Sequence, residues 1–375
     1  MNTIDVLYIF PNTPEPRNEK MVGYIKQLFY VGIMFWKKNP ECETYSFPNT
    51  PVYEIKVAAN DNNPLKRVLP TLKYIKMGIK ELRNIKPKCV HVSKLDSLYM
   101  VWRYCKKVND KPKVVYDVSD LHSLGYNNSK NPIKKAIRFL LWRIEKKISK
   151  CVNYIFVTSP KFYSDYYSAF YKEEQVVFTP NIPDTNAFKK FEKKREGKYT
   201  IGFVGSLRYF KQICNLIDVT KEMDINVMLA GSGIDEEKLR DYANGLTHVS
   251  FFGKYDYLKD IKTIYEQIDC VYAVYDTKIK NVKVALPNKL YEGAYCGLPF
   301  IVSKGTYLSE LVEKYEIGVS CEAEDCFDLK RAIQKVMSIS PERVEKGCKA
   351  FCDDNSQTSV RQRVIECYMS MNINQ

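Results

Sequence analysis

The sequence predicts an α/β protein built from two doubly wound, Rossmann-like parallel-sheet domains facing each other across a cleft. Three observations carry this expectation. The chain has 375 residues, more than one ordinary domain holds, so two bodies of roughly 150 to 200 residues each are expected. Its apolar residues gather in short, strand-length runs that end in turn residues and alternate with helical patterns, and such alternation produces parallel sheets covered by helices on both faces. Its 45% hydrophobic and 27% charged residues suit a chain with full cores, which excludes a disordered or low-complexity polymer.

Taken in order, residues 4–10 form an apolar run that reads as a first buried strand, followed by a helix from about 19 to 37 and another over 64–85. Strands are expected at 88–92 and 113–117, then a helix over 132–150 and a strand at 153–158. Residues 184–198 hold nine charged side chains and few apolar ones, the composition of a solvated hinge. Beyond it, 199–205 reads as a strand ending in glycine, followed by a helix that places Ile213, Leu216, Ile217 and Val219 together. The same alternation continues through 226–233 into an acidic helix start at 235–237, and further strands are expected at 249–253, 269–275 and 299–303. The predicted organisation is an N-terminal domain over 1–185, a charged linker over 186–198 and a second domain over 199–356. A C-terminal helix occupies 357–375, and its return to the first domain is one of the options.

Several function classes are excluded at this level. The run 30–36 is closed at once by Lys37 and Lys38, well short of the ~18 to 20 apolar residues that a spanning helix needs. The first ten residues lack the basic start and small-residue cleavage site of an export signal, so a cytoplasmic chain is expected. Twelve cysteines occur with no C-x-x-C pair, and only His91, His122 and His248 could join them, so neither a disulfide framework nor a metal is expected. The net charge of +14 is uneven: residues 1–200 carry 36 Lys and Arg against 19 Asp and Glu, whereas the rest carry 22 against 25. A basic first half implies an anionic partner. With no recognition motif or aromatic platform beside the charge, nucleic acid is not the expected one.

Two segments of the second half carry chemistry. In Gly205-Ser206-Leu207-Arg208-Tyr209-Phe210-Lys211 a strand passes through glycine into a helix, so backbone N–H groups and the helix dipole meet two cations where a diphosphate fits; a solvated Arg and Lys at a helix start is the plainer alternative. The second, Leu286-Pro287-Asn288-Lys289-Leu290-Tyr291-Glu292-Gly293, places proline at a helix start and one glutamate a turn inside. Leu290 and Ala294 account for the packing of this helix, which leaves Glu292 without a structural duty and suited to gripping ligand hydroxyls. An exposed helix glutamate is the plainer alternative.

These residues resemble the retaining glycosyltransferases of family 4, the glycosyl transferases group 1 of GT-B architecture, in their polysaccharide-assembly form. The likeness runs over most of the chain and is strongest from 201 to 320. It implies that Gly205, Arg208 and Lys211 hold the diphosphate of a nucleotide sugar, with Arg208 and Lys211 as the catalytic cations. It further implies that Glu292 binds the ribose and that the segment 249–255 reads the base, so that Ser206, Lys254, Asn288 and Lys289 complete the donor site. Where the family usually has another glutamate this chain has Val284, within a variant form of the motif. The loop after the first strand is Pro11-Asn12-Thr13-Pro14-Glu15-Pro16-Arg17 in place of a glycine-rich one, and Ser119 stands where histidine is common, which leaves Asp120 as the acidic residue on the acceptor side. Asp120 reads equally as a helix N-cap. The resemblance implies sugar transfer with retention, no divalent metal and no cofactor beyond the nucleotide-sugar co-substrate.

At about 100° per residue, Ile133, Ile137, Leu140, Leu141, Ile144 and Ile148 form one stripe of the helix 132–150, expected to be core. Phe139 and Trp142 then project opposite it among Lys135, Arg138, Arg143 and Lys146. Aromatic rings among cations suit contact with an anionic membrane surface, and burial of both rings under another part of the chain is the alternative. The resulting expectation is a hexosyltransferase peripheral to the inner face of the membrane. It would move sugar from a nucleotide-sugar donor to a cell-surface glycan precursor, lipid-linked, as in capsule or lipopolysaccharide assembly. A catalytically silent nucleotide-binding subunit and a nucleotide-sugar epimerase of the same fold are the other readings.

Overall fold

A computed structural model describes residues 3–59, 66–121, 132–193 and 197–373, without the side chains of 133 and 134. His122, Ile133's side chain and residues 194–196 of the expected hinge lie outside this set. The chain divides into two compact units, Met1–Pro180 with Thr358–Gln375, and Asn181–Gln357.

The first unit is a seven-stranded sheet with β1 Val6–Phe10, β2 Val31–Lys37, β3 Val52–Lys56, β4 Cys89–Ser93, β5 Lys113–Val118, β6 Tyr154–Val157 and β7 Val176–Phe178. Their order is β3-β2-β1-β4-β5-β6-β7, with every pairing parallel. The single helix expected over 19–37 is instead a helix Pro16–Ile25 and the strand β2. All seven residues of β2 are buried. A strand covered on both faces shows no polar alternation, so its apolar run looks like buried helix until β-branched and aromatic content is weighed. Strands β3 and β7 and the helix Leu95–Cys105 also go beyond the sequence reading. The C-terminal helix Gln357–Ser370 belongs to this unit, burying Val360, Val364, Cys367 and Tyr368.

The second unit is a six-stranded parallel sheet of β8 Thr200–Val204, β9 Asn226–Ala230, β10 Val249–Gly253, β11 Cys270–Ala273, β12 Phe300–Ser303 and β13 Gly318–Cys321, in the order β10-β9-β8-β11-β12-β13. The helix Phe210–Thr220 buries Ile213, Leu216 and Ile217 against β8 and β9, in one core with Phe203, Leu229, Tyr272 and Ile301. Each such side chain contributes about 1.5–3 kcal/mol. The segment expected as a solvated hinge is partly anchored here. Asp184 caps the short helix Thr185–Phe188, the buried Phe188 ring packs 5.9 Å from Tyr265, and Lys193 pairs with Asp269 at 3.1 Å.

Both sheets begin at their centre. The chain lays β8, β9 and β10 to one side and then returns to place β11 against β8 on the other. This reversal makes the carboxyl ends of β8 and β11 a topological switch point, where the connections diverge and leave a crevice. The first sheet has the same reversal between β1 and β4.

Candidate functional site

At the switch point of the second sheet, the loop after β8 is fixed by the loop after β9. The Gly205 N–H donates to the Ala230 carbonyl at 2.8 Å, Leu207 N–H to Ser232 at 3.1 Å, and Asp235 N–H returns to Leu207 at 3.0 Å. This needs two glycines of the segment 226–233 that the sequence alone gave no role. A Cβ on Gly231, whose φ is +129°, would lie 1.9 Å from the Gly205 carbonyl oxygen, and one on Gly233 would lie 2.3 Å from that of Leu207. The Gly-Ser-Gly run directly after a strand was the available signal. Leu207 is fully buried and anchors the loop, while Ser206 and Arg208 on either side of it stand exposed. The following helix starts from Tyr209 without a side-chain cap on its first turn, so its N-terminal N–H groups are available to an anion.

The cations here differ in kind. Arg208 lies over the Tyr209 ring at 5.4 Å and is open to solvent. Lys211, expected to hold a diphosphate, instead reaches Glu324 at 2.8 Å, and Lys278 meets the other oxygen of the same carboxylate at 2.6 Å. These two hydrogen bonds pull the Glu324 carboxyl down to about 2. The third cation is Lys289, only 6% exposed, in the first turn of the helix Asn288–Tyr295. Its Nζ sits 3.6 Å above the Phe203 ring centre and 5.3 Å from that of Tyr275. Its Cε is 3.9 Å from where a Cβ on Gly205 would stand. Burial, with Arg208 adding to it against the pull of Glu292, brings its pKa down to about 7.

Glu292 corrects the expectation of a residue with no structural duty. It is 4% exposed, and its two oxygens accept from Tyr257 at 2.9 Å and the buried Tyr265 at 2.8 Å. Asn288 is exposed and accepts from Asn181 at 2.9 Å. Lys254 stands exposed just past β10, and among the described residues no hydrogen bond or ion pair ties it to this group. The fold thus brings Gly205, Arg208, Lys289 and Glu292 together, turns Lys211 toward Glu324 and leaves Lys254 two strands away. Val284, at the position of the absent glutamate, is buried.

In the first unit the buried acid at the switch-point edge is Asp117, near the end of β5, whereas Asp120 is exposed. Arg17, in the first turn of the helix Pro16–Ile25, grips Asp117 with two nitrogens at 2.5 and 3.1 Å and also donates to the backbone and hydroxyl of Thr179. Burial alone would raise the Asp117 pKa, but the guanidinium overcomes it and holds the carboxyl at about 2. His91, wholly buried on β4, has Nε2 3.5 Å from Asp117 and Nδ1 2.6 Å from the Tyr368 hydroxyl. Tyr368 donates onward to Tyr8, and Tyr8 to the Met21 carbonyl. Four segments distant in sequence thus share one polar chain, which no local spacing announces.

The helix Pro132–Ile148 departs from its expected faces. Ile137 and Leu140 of the stripe read as core are 46% and 59% exposed, and among its described side chains only Ile148 is fully buried. The inward side instead centres on Glu145, which accepts from Tyr166 at 2.8 Å and Tyr167 at 3.1 Å. Phe139 is 61% exposed beneath Arg143, whereas Trp142 is half covered, with Phe170 5.7 Å away and Lys146 over its ring at 5.1 Å. Lys135 is exposed. One of the two rings therefore faces out and the other is partly packed. No helix among the described residues is long and apolar enough to cross a membrane.

Residues 184–350 match the family model described as Glycosyl transferases group 1. The second unit carries a group 1 glycosyltransferase domain. Over 254 residues the chain is 22% identical to the succinoglycan biosynthesis protein ExoL of Rhizobium meliloti (strain 1021), a match over 64% of this chain and 62% of that protein's length. Among solved structures, Anabaena Alr3699/HepE in complex with UDP and glucose superposes with a TM-score of 0.70 at 12% identity, covering 97% of this chain and 99% of that one. WaaG, a glycosyltransferase involved in lipopolysaccharide biosynthesis, gives the same values. Sucrose-phosphate synthase from Thermosynechococcus elongatus gives 0.68 at 16% identity, over 97% and 94%. At these identities the structures establish the fold, two Rossmann-like units of the GT-B class.

Proposed function

We propose that this chain transfers a sugar from a nucleotide-sugar donor to a cell-surface glycan precursor, lipid-linked, with retention of anomeric configuration. The observation that carries the proposal is the glycine-closed loop 205–211 at the switch point of a group 1 domain, with Arg208 and Lys289 beside it and Lys211 in the helix that follows. Breaking the anomeric C–O bond leaves positive charge on the sugar and negative charge on the departing diphosphate, so fixed cations and N–H groups at the diphosphate lower the barrier most. Arg208 is already open to solvent, and Lys211 would exchange Glu324 for phosphate oxygens. Glu292, held in place by Tyr257 and Tyr265, takes the ribose. Metal is not needed in this scheme, because the cations supply the charge.

The succinoglycan relative supports a polysaccharide acceptor, and the UDP-bound neighbour makes uridine diphosphate sugars the first donors to try. Exposed Phe139 among Lys135, Arg143 and Lys146 supports residence at an anionic membrane surface. The test is a panel of nucleotide sugars, screened for thermal stabilisation and then for transfer to membrane-extracted acceptors. Arg208→Ala and Lys211→Ala should each lower transfer at saturating donor by ~3–4 kcal/mol of barrier, on the order of a hundredfold or more. Wild-type rates in either variant would remove that residue from the diphosphate site. Donor consumption without acceptor would indicate the epimerase instead.

A further inference from the structure

Lysine side chains are seldom buried without a carboxylate paired to them, and Lys289 is buried with none in a salt bridge to it, Glu292 acting on its charge without pairing. Among the described residues it forms neither a hydrogen bond nor an ion pair, and its ammonium is set against the faces of Phe203 and Tyr275. The charged and titratable groups around it come from three elements. Arg208 in the loop after β8 opposes its charge, Glu292 on its own helix favours it, and Tyr275 after β11 is held neutral by burial. Glu292 is already engaged by two tyrosine hydroxyls. The position is therefore made for a cation whose counter-charge arrives from outside.

We propose that Lys289 is the charge partner of the donor's diphosphate and gains its proton when the donor binds, so that donor binding is coupled to proton uptake. This rests on the donor-site reading above and adds to it a role for one residue. The balance is simple: one proton passes from solvent to Nζ, the incoming anion stabilises the ammonium, and the proton leaves when the nucleotide departs. With the free lysine at about 7 and the bound one fully protonated, the apparent Kd should rise by about eightfold from pH 7.5 to pH 8.5. Below pH 6.5 it should be nearly flat, because the free lysine is then already charged.

The experiment is titration calorimetry of the full chain with UDP-, GDP- and ADP-sugars. Their diphosphates are diesters and do not themselves titrate near neutrality. Measurements at pH 8 in two buffers of different ionisation enthalpy give the protons taken up per donor bound. The expected result is close to one in the wild type and near zero in Lys289→Met and Lys289→Arg, with Lys289→Arg keeping more of the affinity. Circular dichroism and the melting temperature confirm that the variants are folded. Should both fail to fold, the wild-type proton count and the pH dependence of Kd still decide. Donor binding with no proton uptake, or uptake that persists in Lys289→Met, overturns the role of Lys289 alone. No binding of any donor at any pH overturns the donor-site reading, and this inference with it.

Discussion

Asp117 offers the sharpest test of the first unit's construction, because its perturbation can be worked through from the geometry. The carboxylate is 4% exposed and is bound by the Arg17 guanidinium through two nitrogens. Asp117→Asn keeps the shape but leaves the buried Arg17 charge without its counter-ion, a change that costs about 3–5 kcal/mol. All three tryptophans, Trp36, Trp102 and Trp142, lie in this unit, so tryptophan fluorescence during urea unfolding reports on it alone. With a slope of about 2 kcal/mol per molar urea, the midpoint should fall by ~1.5–2.5 M. A pH signature accompanies the loss. The folded carboxyl is held at about 2 against an ordinary 3.8, a depressed value, so its contribution is complete above pH 4 and disappears as pH falls toward 2. That contribution is about 2 kcal/mol, and it should be present in the wild type and missing from the acid branch of the variant. A midpoint within ~0.3 M of wild type, or identical acid branches, would refute the account of a buried, mutually dependent pair.

Other expectations follow from the same contacts. Gly231→Ala should weaken nucleotide binding at least tenfold and lower stability, because its Cβ meets the Gly205 carbonyl at 1.9 Å in a backbone region unsuited to alanine; calorimetry with the nucleotide checks it, and wild-type affinity would show that the loop adapts. Glu292→Gln should weaken nucleotide and nucleotide sugar by the same factor, about ten- to a hundredfold for a lost charged hydrogen bond. If only the sugar donor suffers, Glu292 touches the transferred sugar, the duty vacated at Val284. Phe139→Ala should reduce co-sedimentation with anionic vesicles without moving the melting temperature, since the ring is 61% exposed. Trp142→Ala should destabilise as well, because that ring packs on Phe170. Loss of folding in Phe139→Ala would instead assign that ring to the core.

The alternation of strands and helices, and with it the fold class, was legible because parallel strands buried on both faces are short apolar runs ended by turn residues. The strand-glycine-helix at 199–211 was legible for the same reason, since the backbone conformation at Gly205 is a local property. Local pattern failed wherever two conformations bury the same residues. Residues 30–37 continued a helix on paper and became the strand β2, because only pairing with β1 and β3 decides between them. It failed again on the helix Pro132–Ile148. Helical periodicity placed Ile137 and Leu140 on a core stripe, but which side turns inward is set by where Tyr166 and Tyr167 stand to meet Glu145. Long-range electrostatics were equally hidden. Glu292 looked free because Tyr257 and Tyr265 lie about thirty residues upstream, and Asp120 looked like the acid of the first unit because Arg17, 100 positions from Asp117, gives no local sign of its choice. The residue types available to a diphosphate site could be read from the sequence; which of them stand charged, paired or caged depends on neighbours that only the folded chain brings within a few ångströms.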